Sequence, residues 1–138
     1  MVRLPEGSWG ENANHSVWLN DRTRWMWEME YRAEEKMLWM LANLPWQTKP
    51  IVRETIERAG RELLLLQASD WPFAIHTHGA VDYGIQRFSG HCTRFDRMQA
   101  IAEAVVAGRG LTPLQRVQID EADLHDSAFP KVELDWWI

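Results

Sequence analysis

The sequence predicts an all-α protein: a bundle of three long helices plus one or two short helices, with irregular N- and C-terminal arms. Three observations carry that expectation. Apolar residues recur at steps of three and four over three long stretches. Prolines fall between those stretches or at their starts. No segment shows the strict alternation of a half-buried strand. At 138 residues the chain suits one domain. It reads as an irregular arm over 1–20 and a helical bundle over 21–138.

Asn20 is a plausible N-cap for the first helix, expected over about residues 21–44. Met26, Met29, Ala33, Met37, Met40 and Leu44 mark one face. Trp27, Tyr31, Leu38 and Leu41 widen it, which predicts burial on two sides. Pro45 and Pro50 break the pattern. Thr48 is placed to cap a second helix running to about Ser69, with Val52, Ile56, Ala59, Leu63 and Leu66 inward. Gly60 costs that helix roughly 1 kcal/mol relative to alanine, and a close helix crossing would explain it.

In "SDWPF", Trp71 precedes Pro72 and is expected to leave helical angles, with Asp70 capping a short turn up to His78. A third long helix follows over about 80–107, with Val81, Ile85, Phe88, Cys92, Phe95, Ala102 and Val105 on its face. "GRG" at 108–110 ends it. "TPLQ" has the form of a capping box: Thr112 caps and Gln115 reaches back. The short helix it opens reads with Leu114, Val117, Glu121 and Leu124 on one side. The tail "DSAFPKVELDWWI" reads as irregular and is expected to pack back on the bundle.

Composition bounds function. Apolar residues are 46% and charged residues 25%, as in a soluble globular domain. The net charge of −5 argues against a nucleic-acid partner, because phosphate binding needs a basic footprint. No apolar run approaches the roughly 20 residues that span a bilayer, so no membrane partner is expected. The start has no signal-peptide core, and the single cysteine fits a reducing compartment; together they predict a cytoplasmic protein.

Motifs for chemistry are scarce. His76-Thr77-His78 is the nearest thing to a metal site, but zinc needs three or four ligands. His15, His91 and His125 are scattered, so no metal and no other cofactor is expected. Cys92 lies on an apolar helix face, where an inert thiol is the simpler reading. Carboxylates pair at Glu30 and Glu34, at Glu54 and Glu57, and at Asp120 and Glu121. Glycosidases hold two about 5 to 9 Å apart with different pKa values. Here basic neighbours, as in "RETIERAGRE", favour a solvated charged face. No residue is expected to be catalytic.

The stretch "GSWGENANHSVWLN" stands apart. Two of the chain's nine tryptophans, Trp9 and Trp18, sit in a segment with no helical or strand period. Asn12, Asn14, His15 and Ser16 lie between them. Aromatic faces bind sugars by stacking on the apolar C–H face of the ring, while polar neighbours bond the hydroxyls. The arm supplies both parts, although packing against the bundle would also account for the rings.

Several segments carry a resemblance. "GSWGE", "HSVWLN", "RELLLLQASDWPF", "AVDYGIQRFSGHCTRFD" and "DSAFP", in that order, resemble the C-terminal helical domain of glycoside hydrolase family 57 enzymes, and among them the 1,4-α-glucan branching enzymes. The likeness covers residues 7–130. It implies a catalytic (β/α)7 barrel, in cis or in trans, whose glutamate nucleophile and aspartate acid/base carry out a retaining transfer of α-glucan to a 6-hydroxyl. Neither role falls on this chain. The resemblance implies that Trp9 and Trp18, nine residues apart, face the glucan cleft of a glycogen-branching enzyme. His15 is the weakest member of that candidate site. Two departures stand out. The family usually has two glycines after "SWGE", where this chain has Asn12 and Ala13, and it tends to have a small glycine-containing turn at the position of "HTH". An alternative is a stand-alone helical interaction protein, or a weak α-glucan-binding protein, without catalysis.

Overall fold

The computed structural model describes residues 6–125 and 128–138. Its helices are α1 (Arg24–Asn43), α2 (Pro50–Leu66), α3 (Asp70–His76), α4 (Val81–Val106) and α5 (Pro113–His125), and no strand occurs among the described residues. Single 3-10 turns lie at Glu11–Ala13 and His15–Val17 in the arm and at Leu134–Trp137 in the tail. The all-α bundle of three long and two short helices is therefore as the periodicity predicts. None of these helices is long and apolar enough to cross a membrane.

The helix α1 starts three residues later than expected. Asn20 does not cap it but builds a turn ahead of it: its Oδ1 accepts from the Arg22 N–H at 2.9 Å, and its own N–H donates to Thr23 Oγ1 at 3.0 Å. The Met26, Ala33, Met37, Met40 and Leu44 face is buried as predicted, with Met29 half-buried. The second side is not: Leu41 is buried, but Tyr31 and Leu38 remain exposed.

Pro50 opens α2, and the predicted cap Thr48 instead donates its hydroxyl to the Pro45 carbonyl. This helix ends at Leu66 rather than Ser69 because α3 begins almost at once. Trp71 stays helical within α3, contrary to expectation. Pro72 lies in the first turn, where its missing N–H costs no intrahelical bond. The Trp71 indole Nε1 also donates to the Leu65 carbonyl at 2.8 Å. Asp70 is the first helical residue there rather than the cap.

The inward face of α2 (Val52, Ile56, Ala59, Leu63 and Leu66) is fully buried as predicted, and it packs most extensively on α4. The α4 face holds Phe88, Cys92, Phe95 and Ala102 buried, but Ile85 is exposed; His91, Met98 and Ile101 are buried as well. Gly108, at φ +76, lets the Arg109 N–H reach back to the Ala104 carbonyl and ends the helix.

The capping box on α5 forms in full. The Thr112 N–H donates to Gln115 Oε1 at 2.9 Å, and the Gln115 N–H donates to Thr112 Oγ1 at 3.2 Å. The helix is nonetheless turned away from its expected orientation. Leu114 and Val117 are exposed, while Ile119 and Ala122 face the core. Arg116 sets this rotation with a two-pronged bond to Glu54 of α2, at 2.8 and 3.0 Å. Leu124 lies outside the described side chains.

The tail packs back as expected. It also explains Gly60: a Cβ there would meet Trp137 Cη2 at 2.9 Å, Val132 Cγ1 at 3.2 Å and Met37 Cε at 3.3 Å. The close neighbour is thus mainly the tail rather than a crossing helix. The solvated face expected of "RETIERAGRE" is also corrected. Arg61 and Glu62 are buried, and so is Glu30 of α1. Asp120 and Glu121 are exposed.

Candidate functional site

The arm is irregular but tied down at several points. The Trp18 carbonyl accepts from Thr23 Oγ1 at 2.7 Å and from the Trp27 indole at 3.0 Å. The Trp18 indole donates to Ser8 Oγ at 2.5 Å, and Val17 is buried beneath. Asn14 caps the second 3-10 turn by accepting from the Ser16 N–H at 3.0 Å. These bonds hold Trp18 in place without a long helix.

The ring of Trp9 lies 6.3 Å from that of Trp18. A third ring joins them: Phe73 of α3, 6.0 Å from Trp9 and 6.1 Å from Trp18. The three rings form a tilted cluster in which Trp9 is 71% exposed and Phe73 37%. Each spacing is within the range of favourable aromatic pairs. Sequence reasoning missed Phe73. Its only signal was the presence of "SDWPF" among the segments of the resemblance.

His15 lines a groove together with Trp18. It is exposed and 3.3 Å from the Glu6 carboxylate; the groove, of about 390 Å³, is lined also by Leu19, Trp27 and Tyr31. Arg24 and Glu28 stand along the same groove. The structure therefore puts Trp9 and Trp18 together and sets His15 beside Trp18, in a neighbouring groove.

Beneath these rings lies Glu30. It lines a small cavity of about 90 Å³ with Trp18, Trp27, Gln67, Ser69 and Pro72. Desolvation, and then the charge of Glu34, push its carboxyl up to about 7.

The His78 ring is bonded by Arg22 Nη1. Among the described residues no group of three or more His, Cys, Asp or Glu side chains is placed to hold a metal ion. Burial pushes the Cys92 thiol up to about 11, which leaves it a poor nucleophile.

Both departures from the family pattern fall on left-handed backbone. Asn12 and Ala13 have φ of 62° and 48°, and His78 has 58°. Glycine enters that region without a Cβ penalty. The chain thus keeps the backbone a glycine would favour while carrying other side chains there.

Residues 30–137 match the family model described as "1,4-alpha-glucan branching enzyme, C-terminal". The 1,4-alpha-glucan branching enzyme TK1436 of Thermococcus kodakarensis is 41% identical over 97 residues, 70% of this chain and 14% of that enzyme. A probable 1,4-alpha-glucan branching enzyme of Mycobacterium tuberculosis, Rv3031, is 30% identical over 115 residues, 78% of this chain and 21% of its own length. The crystal structure of the Pyrococcus horikoshii GH57-type branching enzyme superposes with a TM-score of 0.88 at 32% identity, covering 99% of this chain and 25% of that one. That of the Thermococcus GH57 enzyme, in complex with glucose and additives, gives 0.89 at 33% identity, covering 99% and 24%. The chain spans a quarter or less of each of these relatives. It belongs to the C-terminal domain family of GH57 1,4-alpha-glucan branching enzymes.

Proposed function

We propose that Trp9, Trp18 and Phe73 form an aromatic wall of the glucan cleft in a 1,4-α-glucan branching enzyme whose catalytic barrel lies in the rest of a longer chain. The observation that carries this is the three-ring cluster itself. Rings from the arm and from α3 converge within 6.3 Å, and the outermost is left largely exposed. A large exposed aromatic with two half-covered neighbours is costly as surface and useful as a stacking platform. The ligand class comes from the relatives, one of which was crystallised with glucose.

On this reading the chain holds and orients glucan, while the barrel's carboxylates break the α-1,4 bond and form the α-1,6 bond. The enzyme works in the cytoplasm on glycogen-type chains. The role assigned to His15 is secondary, a hydroxyl partner at the edge of Trp18.

Trp9→Ala is the informative variant, because the Trp9 ring is largely exposed. The isolated chain should bind maltotriose only weakly, in the millimolar range (about −4 kcal/mol), since one wall is half a cleft. Trp9→Ala should abolish that binding with little change in melting temperature. In the full-length enzyme it should lower branching activity tenfold or more (about 1.4 kcal/mol or more of stabilisation lost). Normal activity with a large loss of stability would return the ring to a packing role.

A further inference from the structure

Trp18 is shared by two aromatic surfaces, and the wall above uses only one. The other is the groove lined by Trp18, Leu19, Trp27 and Tyr31. Its volume, about 390 Å³, falls in the range of small-molecule sites, roughly 300–1,000 Å³. We propose that this groove is a second α-glucan subsite, which takes the same oligosaccharide chain where it runs on past Trp18.

Three observations favour a sugar over another occupant. The floor is aromatic, with Trp27 and Tyr31 6.1 Å apart and Tyr31 56% exposed. Rings of this size match the flat apolar face of a pyranose. Along the groove stand Arg24 and Glu28, one turn apart on α1, and neither forms an ion pair with another described residue. A guanidinium donates and a carboxylate accepts, so together they suit neighbouring hydroxyls, which do both. A purely apolar partner would desolvate both charges and give neither a hydrogen-bond partner of its own. The third observation is continuity. The Trp27 indole donates to the Trp18 carbonyl at 3.0 Å, which fixes the groove floor to the residue that anchors the wall. Trp18 contacts Trp9 and Phe73 and also lines the groove, so a chain leaving the wall enters the groove at that residue.

The inference rests on the wall being glucan-binding, so the test separates the two. Binding of maltotriose and of maltoheptaose to the 138-residue chain is followed by NMR at the tryptophan indole resonances. Maltoheptaose should bind about tenfold tighter than maltotriose, because two linked contacts act on one ligand. It should also shift the Trp27 indole, which maltotriose leaves in place. Tyr31→Ala removes an exposed ring and should erase the length-dependent gain while leaving maltotriose binding intact. Glu28→Gln, which keeps the groove apolar and folded, should reduce the gain by a few-fold.

Equal affinity for the two sugars, or a Tyr31→Ala chain that keeps the full gain, overturns the groove and leaves the wall standing. Loss of maltotriose binding in Tyr31→Ala but not in Trp9→Ala overturns the wall instead. If the rest of the enzyme covers the groove, Tyr31→Ala will lower the melting temperature of the full-length enzyme with the gain untouched, and that also overturns the proposal.

Discussion

The imidazole of His91 in α4 lies 2.8 Å, Nδ1 to Oε2, from the carboxyl of Glu62 in α2, and both side chains are wholly buried. Arg94 joins them, with its Nε donating to the other Glu62 oxygen at 3.1 Å. Arg87 Nη2 stands 3.3 Å from His91 Nε2. The ring of Trp71 packs 5.9 Å from His91, so the network also supports α3, the helix that carries Phe73.

Removing His91 takes one of the hydrogen-bond partners from the buried Glu62 carboxylate and leaves its Oε2 buried without that partner. His91→Leu should therefore destabilise the chain by about 1–3 kcal/mol. The double variant Glu62→Leu with His91→Leu should recover much of that loss, since it leaves no orphaned carboxylate and Arg94 still reaches solvent. Urea denaturation of the wild type, the two single variants and the double variant gives the coupling directly. Additive losses would mean that the pair does not act as a unit.

The arm offers a second test. Ala13 is exposed and holds a left-handed φ of 48°. Alanine there costs about 1–2 kcal/mol relative to a right-handed conformation. Glycine removes that strain but makes the unfolded chain more flexible, which offsets roughly 0.5–1 kcal/mol. Ala13→Gly should be neutral to stabilising, by up to about 1 kcal/mol, in thermal or chemical denaturation. A clear loss would mean that the methyl group makes contacts worth more than the strain.

How far the sequence could be read depends on what decides each position. The inward faces of α1 and α2 are set by local period, so Met26 through Met40 and Val52 through Leu66 read correctly. The end of α4 and the capping box of α5 are also local chemistry, and both read correctly. The rotation of α5 does not. Leu114, Val117, Ile119 and Ala122 allow more than one amphipathic face, and a distant ion pair from Arg116 to Glu54 selects among them. Glu62 looked solvated because its partners stand a whole helix away in sequence. Two members of the aromatic cluster were legible from an unusual pair in a loop; Phe73 joins them only through the fold.

The last prediction concerns Glu30, whose carboxyl is buried against Trp18 and Trp27 and pushed up to about 7, mainly by desolvation and then by Glu34. Glu34 is itself held by Gln67, whose Nε2 donates to it at 2.6 Å. In the unfolded chain Glu30 titrates near its ordinary value of 4.5. Below that pH both states carry the proton and the burial costs nothing in charge. Between about 4.5 and 7 the native state keeps a proton that the unfolded chain has released. Stability therefore falls as pH rises through this window, and the loss is complete above it. The full shift would correspond to about 3 kcal/mol, which solvent screening of this incompletely buried carboxyl reduces to about 1–2 kcal/mol. Glu30→Gln cannot ionise, so it should match the wild type at pH 4 and exceed it by about 1–2 kcal/mol at pH 8. Taking the difference between the two proteins at each pH cancels the other titrating groups. The Trp18 indole resonance, next to this carboxyl, should move with a midpoint near 7 in the wild type and stay still in the variant. A difference that does not change with pH would mean that the Glu30 carboxyl turns out to water on ionising and leaves the aromatic site above it unaffected.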